Sequence, residues 1–112
     1  PRILFYDEPS AGLDPVTSAE IDQLIVKLSK MLNVTSVVVT HEMDSTFTIA
    51  DRMAMLDKGR MICVESREYY DNLRKLPVEQ AAELDETQQL IRQFLRGDAE
   101  GPITRRKAAT NY

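Results

Sequence analysis

The chain has 112 residues, 43% of them hydrophobic and 29% charged, with a formal net charge of −4. This composition is typical of a globular domain, and the single cysteine, Cys63, excludes an internal disulfide. The negative charge gives no electrostatic reason to expect a nucleic-acid partner, and no apolar run approaches the roughly 20 residues that a transmembrane helix requires.

A short apolar run that ends in two acids opens the chain. Residues 3–6 are predicted to form a buried strand of a parallel sheet, and Asp7 and Glu8 follow it directly. Open α/β sheets bind their ligands at the carboxyl ends of their strands. One carboxylate there can hold a hydrated Mg²⁺ while its neighbour orients an attacking water, which is what nucleotide hydrolysis requires. The alternative is a solvated turn, because carboxylates are mostly surface groups.

The loop after these acids leads into an amphipathic helix. Asp14 is a favoured N-cap residue, and Pro15 is favoured at the first helical position. Apolar residues then recur at helical spacing between Ile21 and Leu32, which predicts one helix of about 18 residues that ends at Asn33. As an N-cap, Asp14 is explained without any functional role.

A second apolar strand follows this helix. Residues 35–40 are β-branched and apolar on both faces. Two apolar strands joined by a helix form a βαβ unit with parallel strands and a right-handed crossover. His41 directly follows the second strand and is therefore expected on the same sheet edge as Asp7 and Glu8. Taken alone, such a histidine is more often structural than functional.

The rest of the chain predicts a hairpin and several helices. The expected elements are a short helix at 43–50, hairpin strands at 52–56 and 61–66, helices at 67–75 and 87–96, an ambiguous acidic segment at 78–86, and a mobile polar tail from residue 98 with a basic run at 105–107. The helix at 87–96 carries an apolar stripe, which either covers its own domain or contacts a partner subunit. The stripe consists of Leu90, Ile91, Phe94 and Leu95. These elements divide the chain into a core at 1–66 and a helical extension at 67–112.

Three motifs resemble those of the ATP-binding cassette (ABC) ATPases in order and spacing. Residues 3–9 (ILFYDEP) resemble the Walker B motif, residues 10–14 (SAGLD) the D-loop, and residues 37–42 (VVVTHE) the strand that carries the switch histidine. The hairpin at 53–64 is similar to the strand pair that follows in that family. The resemblance implies an α/β fold: the C-terminal part of a P-loop NTPase (ABC-type) nucleotide-binding domain, with parallel strands, flanking helices and a terminal hairpin.

The resemblance also implies roles for individual residues. Asp7 would bind Mg²⁺, Glu8 would act as general base on the attacking water, and His41 would contact the terminal phosphate of ATP. Ser10 and Asp14, in the D-loop, would help to bind the nucleotide across a dimer in which two ATPase subunits sandwich it. The transmembrane permease subunits of a transporter would be further partners.

Several parts of that family's active site are missing from this sequence. None of its four glycines lies in a G-x-x-x-x-G-K-[ST] phosphate loop, and it contains neither a Leu-Ser-Gly-Gly signature nor a Q-loop. In the family these motifs lie upstream of the Walker B strand. A central parallel strand also needs neighbours on both edges, which few segments here could supply. We therefore expect the chain to be the C-terminal portion of a larger protein and to be inactive alone.

The C-terminal third carries a narrower resemblance. Residues 90–103 combine a helix ending in Phe-Leu with a glycine, acidic residues and Gly-Pro, and they resemble the tail of the Mla/Mce-linked ABC ATPases. This resemblance implies phospholipid or other lipid transport across the bacterial envelope by a subunit that is cytoplasmic and peripheral to the inner membrane. The segment at 78–86 is longer than in that family, and a docking helix with a solvated tail would explain the same residues.

Two other functions fit the same sequence. A soluble ABC-type ATPase of DNA repair or translation would share the three motifs, although such proteins usually carry long insertions or tandem cassettes and residues 41–67 are compact. A non-catalytic fragment would instead bind a partner through an exposed sheet edge and apolar faces. The motifs favour ATP hydrolysis over a non-catalytic fragment, and the compact segment at 41–67 favours a transporter subunit over a soluble ABC-type ATPase.

Overall fold

The computed structural model describes residues 2–109, with side chains through residue 106. The chain forms two compact units that divide between Ala50 and Asp51. The first unit comprises strand β1 (Ile3–Asp7), helix α1 (Pro15–Leu32), strand β2 (Thr35–Val39) and helix α2 (Met43–Ile49). The second comprises β3 (Arg52–Asp57), β4 (Arg60–Ser66), α3 (Arg67–Lys75), α4 (Val78–Ala81), α5 (Glu86–Arg96) and α6 (Pro102–Ala109). Within this described part of the chain, no helix is long and apolar enough to cross a membrane.

Strands β1 and β2 pair in parallel, which confirms the prediction of a βαβ unit. Asp7 at the end of β1 lies opposite Val39 at the end of β2, and α1 connects the two strands. One face of the pair packs against α1, where the hydroxyls of Ser29 and Ser36 form a hydrogen bond. The parallel arrangement brings the carboxyl ends of both strands to one edge.

The other face of this strand pair is exposed, so the prediction of a buried strand is wrong for that face. Its apolar side chains are Ile3, Phe5, Val37 and Val39, which are 51%, 76%, 40% and 53% exposed. Among the described residues β1 pairs with β2 alone, so each strand has one unpaired edge. An apolar run predicts a strand that neighbouring elements can bury, but this unit covers one face only.

Helix α1 begins and ends where the sequence predicts. The Asp14 carboxylate accepts hydrogen bonds from the backbone N–H groups of Val16 and Thr17, both at 3.1 Å, and Pro15 occupies the first turn. Asn33 ends the helix in the left-handed conformation, with a φ of 50°, which asparagine tolerates better than most residues. These caps satisfy backbone groups that helix ends leave unpaired, and so fix the length of the crossover.

Strands β3 and β4 form an antiparallel hairpin, as predicted. The turn between them consists of Lys58 and Gly59, whose φ values are +49° and +77°. Two successive residues with positive φ make a tight turn whose twist matches that of the flanking strands. Each strand is one residue longer than predicted because this turn uses two residues and not four. The pairing register shifts between Met55 and Leu56.

Helices α3 and α5 pack together in the core of the second unit. The most deeply buried side chains are Tyr70 of α3 and Ile91 of α5, each 1% exposed. Of the predicted apolar stripe, Leu90, Ile91 and Leu95 are buried, whereas Phe94 is 42% exposed. Most of the stripe therefore covers its own domain, as a surface helix of a globular protein normally does.

The predicted mobile tail differs most from expectation. From Pro102 to Ala109 it forms helix α6, which the sequence analysis did not predict, while the mobility of the tail stays a prediction. Gln93 of α5 holds the start of that helix. Its side-chain oxygen accepts from the Ile103 N–H at 2.9 Å, and its amide donates to the Thr104 hydroxyl at 2.8 Å. These contacts with a different helix, rather than local propensity, order the segment.

An ion pair joins the same helix to the hairpin. Arg106 donates to both carboxylate oxygens of Asp57 in β3, at 2.8 and 3.2 Å. Such bidentate pairs fix orientation as well as contact. The predicted basic run contributes Arg106 to this pair, whereas the Lys107 side chain and residues 110–112 lie outside the described residues.

The ambiguous segment 78–86 contains the short helix α4 and the cap of α5. Asp85 and Gln88 form a capping box, in which the Asp85 carboxylate accepts from the Gln88 N–H at 2.7 Å. The predicted division of the chain after residue 66 lies inside the second unit, which begins at Asp51. The predicted boundary after residue 66 marks the end of a nucleotide-binding core, whereas the boundary at Asp51 separates two compact units. The compact units do not test the predicted boundary, which stays a prediction.

Candidate functional site

The two strand ends of the first unit bring the predicted acid and histidine together. Glu8 extends the strand pairing beyond β1, since its N–H donates to the carbonyl of Val39 at 2.8 Å. Its side chain then reaches the residues just beyond β2, where Oε1 lies 2.7 Å from Nδ1 of His41. The expectation that these groups share one edge of the sheet is confirmed by this contact.

Glu8 has an uncommon backbone conformation. Its φ is +46°, in the left-handed region that residues other than glycine, asparagine and aspartate rarely adopt. Such a conformation costs on the order of 1–3 kcal/mol and persists only where surrounding contacts enforce it. Here the Glu8 N–H bonds to Val39, and the Glu8 carbonyl accepts from the N–H of Ala11 at 3.2 Å. The chain therefore turns away from the sheet while the Glu8 side chain stays beside the second strand end.

The Glu8–His41 contact is a charge-assisted hydrogen bond in a solvated place. The His41 side chain is 73% exposed and the Glu8 side chain is 31% exposed. The hydrogen bond from His41 lowers the pKa of Glu8, and the same bond raises the pKa of His41. An ionised carboxylate can only accept, so Nδ1 of His41 carries the shared proton. The pair thus holds a negative carboxylate beside an imidazole that is readily protonated.

Thr40 is a further contact of Glu8 that sequence reasoning missed. Its hydroxyl donates to Oε2 of Glu8 at 3.3 Å and accepts the N–H of Glu42 at 3.0 Å. Both oxygens of the Glu8 carboxylate are therefore hydrogen-bonded, one to His41 and the other to Thr40. In the sequence, Thr40 is only a hydroxyl residue at the end of an apolar strand. That feature is too common to indicate a functional role unless the contact with Glu8 is known.

Asp7 has the position and the chemistry of one magnesium ligand. It is the last residue of β1, it is exposed, and it directly precedes Glu8. Mg²⁺ keeps several of its waters and binds proteins through one or two carboxylates together with substrate phosphates. No group of three or more potential metal ligands occurs among the described residues. Asp7 therefore fits as a single carboxylate ligand rather than as part of a closed cage.

The two loop residues that were predicted to bind nucleotide have structural contacts here. Ser10 is 2% exposed, and its carbonyl accepts from the N–H of Leu13 at 3.2 Å. Asp14 caps α1, and the Thr17 hydroxyl, which donates to Asp14 at 2.6 Å, lowers the pKa of its carboxyl. The roles of Ser10 and Asp14 toward a nucleotide stay predictions.

The arrangement can act on a water molecule or a phosphate at the sheet edge. Glu8 is an ionised acceptor oriented by two donors, and Asp7 places a second carboxylate at the same strand end. A general base needs such an oriented carboxylate within hydrogen-bond reach of the proton that it removes. His41 stands at the neighbouring strand end, where it can donate to a phosphate oxygen. The phosphate loop that would cradle the rest of a nucleotide is not part of this sequence.

Comparison with known proteins identifies relatives in transport systems. No family model matches the chain. The methionine import ATP-binding protein MetN 2 of Listeria monocytogenes is 33% identical over 110 residues, which is 94% of this chain and 32% of that protein. The methionine import ATP-binding protein MetN of Haemophilus ducreyi is 44% identical over 62 residues, or 55% of this chain and 18% of that protein. The probable ribonucleotide transport ATP-binding protein mkl of Mycobacterium tuberculosis is 33% identical over 103 residues, or 92% of this chain and 25% of that protein.

A solved structure has a similar fold. The structure of cbiO1 from Clostridium perfringens, part of the ABC transporter complex cbiONQ, matches with a TM-score of 0.61 and 28% identity over 81% of this chain and 36% of that chain. The chain spans 18% to 32% of the length of the curated relatives named above. It has an α/β fold, that of part of an ABC-type P-loop NTPase domain. Its curated relatives are ATP-binding proteins of methionine import or probable ribonucleotide transport, and cbiO1 is part of an ABC transporter complex.

Proposed function

We propose that this chain is the C-terminal portion of an ABC transporter ATP-binding subunit, and that the intact subunit hydrolyses ATP to ADP and phosphate. The observation that carries the proposal is the contact of Glu8 with His41, beside Asp7, at the carboxyl edge of a parallel strand pair. Similarity to a transport ATP-binding protein over 94% of the chain supports the same function. Hydrolysis would reset a dimer whose closure moves attached permease subunits.

Each site residue acts by its position in this proposal. Glu8 orients the attacking water and accepts its proton, while His41 donates a hydrogen bond to the terminal phosphate. Phosphoryl transfer depends on positioning and charge stabilisation more than on covalent chemistry, so placement is most of what the protein supplies. Asp7 would hold Mg²⁺, which neutralises phosphate charge when bound. Ser10 and Asp14 would contribute to the nucleotide site across the dimer.

We propose two kinds of protein partner for the intact subunit. A second ATPase subunit would complete a nucleotide sandwich, and transmembrane permease subunits would hold the dimer at the cytoplasmic side of the inner membrane. The similarity to cbiO1, which is part of an ABC transporter complex, supports such an assembly. Within the chain, residues 1–66 would belong to the nucleotide-binding core and residues 67–112 to a C-terminal extension.

The transported substrate is a finer proposal. The segment 90–103 supports a lipid or phospholipid, because it resembles the tail of lipid-transport ATPases. The names of the relatives favour methionine or a ribonucleotide instead. Reconstitution of the intact subunit with its co-purifying permease decides between them. ATPase stimulation by phospholipid would support lipid transport, and stimulation by methionine or ribonucleotides alone would contradict it.

Replacing Glu8 with glutamine tests the catalytic proposal. In the intact subunit, Glu8→Gln keeps the size of the side chain and removes the base. We therefore expect turnover to fall by about 10²–10⁴-fold, the usual contribution of a positioned general base, while ATP binding is retained. The measurement is steady-state phosphate release together with the dissociation constant for ATP.

The matched control for this experiment is Glu20→Gln, since Glu20 is an exposed glutamate on α1. A surface substitution of this kind has a small effect, so its turnover should stay within about twofold of the wild type. Near-normal turnover of Glu8→Gln would remove Glu8 as the base, and with it the proposed catalytic site.

A further inference from the structure

We propose that Thr40 positions the Glu8 carboxylate for hydrolysis by holding Oε2 while His41 holds Oε1. The inference rests on the proposed function, since it concerns how the general base is aimed. Because the Thr40 hydroxyl donates to Glu8, Thr40 acts through that residue and is a positioning residue rather than a catalytic one.

The direction of the Thr40 hydroxyl follows from its two neighbours. A threonine hydroxyl has one proton and two lone pairs. The N–H of Glu42 donates to the Thr40 oxygen at 3.0 Å, and Oε2 of Glu8 lies 3.3 Å from the same oxygen. Since an ionised carboxylate can only accept, the Thr40 proton points at Glu8. The contact with Glu42 thus leaves the hydroxyl oriented as a donor to the base.

A single hydrogen bond does not fix the plane of a glutamate carboxylate. The terminal torsion of glutamate is broad and roughly two-fold, so a carboxylate bonded to His41 alone could rotate about that bond. A second donor on the other oxygen selects one plane. The lone pairs of Glu8 that stay free then have fixed positions, which is what a base must offer to the proton of an attacking water.

The backbone supports the same alignment. The N–H of Glu8 bonds to the carbonyl of Val39, directly before Thr40, so the backbone and the side chain of Glu8 are both tied to residues 39–41. Thr40 is half-buried and β-branched, which restricts its χ1 torsion. The His41 side chain, in contrast, is 73% exposed. Thr40 is therefore the stiffer of the two donors that hold the carboxylate.

The test compares three substitutions of Thr40 in the intact subunit. Thr40→Val keeps the shape and removes the hydroxyl, Thr40→Ala removes it without adding a methyl group beside the carboxylate, and Thr40→Ser keeps it. A misplacement of about 1 Å at a reacting group can cost about 10²-fold in rate. We expect kcat to fall about tenfold in the valine and alanine variants, with the KM for ATP unchanged within about twofold. The serine variant should recover most of the wild-type kcat.

Thr48→Val is the matched control, because the Thr48 hydroxyl also makes a hydrogen bond, but to the carbonyl of Asp44 within α2 rather than to Glu8. It should leave kcat unchanged. A second measurement does not depend on turnover. It is the NMR signal of the His41 Nδ1 proton at neutral pH, a proton that the bond to Glu8 protects from exchange with water. That signal should persist but change its chemical shift in Thr40→Val and Thr40→Ala, because Glu8 keeps its bond to His41 while its carboxylate plane is no longer fixed, and it should keep the wild-type shift in Thr40→Ser and Thr48→Val.

The outcomes separate this inference from the proposed function. If Glu8→Gln turns over normally, the proposed function fails whatever the Thr40 variants do. If Glu8→Gln is inactive while the valine and alanine variants keep wild-type kcat and the wild-type His41 signal, the positioning role is wrong and the function stands. A serine variant as slow as the valine variant would also overturn it, because the hydroxyl would then not be the group that matters.

Discussion

At the scale of single residues, the contact between Glu8 and His41 determines the direction in which the pKa of each side chain is shifted. The hydrogen bond between them lowers the pKa of Glu8 below 4.5 and raises the pKa of His41 above 6.5. The stabilising contribution of Glu8 is present above its unfolded pKa and is lost as the pH falls through the lowered value. That of His41 is present below its unfolded pKa and is lost as the pH rises through the raised value. The ion pair therefore spans a window wider than 4.5 to 6.5.

Removing the charge of Glu8 should bring the pKa of His41 back toward 6.5, because the first cause of its shift is the bond to Glu8. The measurement is an NMR titration of the ring protons of His41, which is the single histidine of this sequence. Glu8→Gln is compared with Glu20→Gln, which should leave the raised pKa in place. An unchanged pKa of His41 in Glu8→Gln would mean that the pair does not form in solution.

The site was predictable at this scale in part. That Glu8 and His41 share an edge follows from the parallel βαβ arrangement, which a helix between two apolar strands implies. The left-handed φ of +46° at Glu8 and its contact with Thr40 could not be predicted from that arrangement. Both depend on the exact pairing of the strands, with Asp7 opposite Val39, and an apolar run in one sequence does not specify which residues face each other.

At the scale of elements, helices with local signals were predictable and α6 was not. Helices α1 and α5 carry their own capping residues, Asp14 and Asp85, together with apolar residues at helical spacing. Helix α6 has a polar sequence, and the groups that hold it lie elsewhere, at Gln93 and Asp57. The contacts join residues 10 and 49 positions apart, which local reasoning does not find.

Gln93→Ala should release α6 from α5. The substitution leaves the N–H of Ile103 and the carbonyl of Asp98 without their side-chain partner. We expect the free energy of unfolding of the intact subunit to fall by about 1–3 kcal/mol, the cost of leaving such groups unsatisfied. Faster hydrogen exchange at the Ile103 amide would locate the change.

The control for that substitution is Gln80→Ala, because Gln80 is exposed on α4. Its effect on the free energy of unfolding should be within about 0.5 kcal/mol, as for most surface changes. If both variants lose the same stability, the Gln93 contacts do not hold α6 in place.

At the scale of the whole chain, the two units differ in how well they cover their apolar side chains. The second unit buries Tyr70 and Ile91 almost completely, whereas the first leaves Phe5 and Val37 exposed on its sheet. The need for further strands beside β1 followed from the sequence. The sequence did not predict which side chains are left exposed, because that depends on the face of the strand pair that α1 covers.

The chain by itself should bind ATP weakly. It lacks the phosphate loop whose backbone N–H groups and lysine hold most of a nucleotide. Calorimetric titration with ATP and Mg²⁺ should show no micromolar binding to the chain alone, while the intact subunit binds. A micromolar dissociation constant for the chain alone would contradict this expectation and would require a phosphate site other than the family's loop.

The exposed apolar face of β1 and β2, with strand edges unpaired within residues 2–109, has a practical consequence. Open strand edges recruit further strands, and apolar side chains beside them favour sheet stacking. Overproduced on its own, this chain would accumulate in inclusion bodies. Used as bait in an interaction screen, it would capture chaperones ahead of any physiological partner.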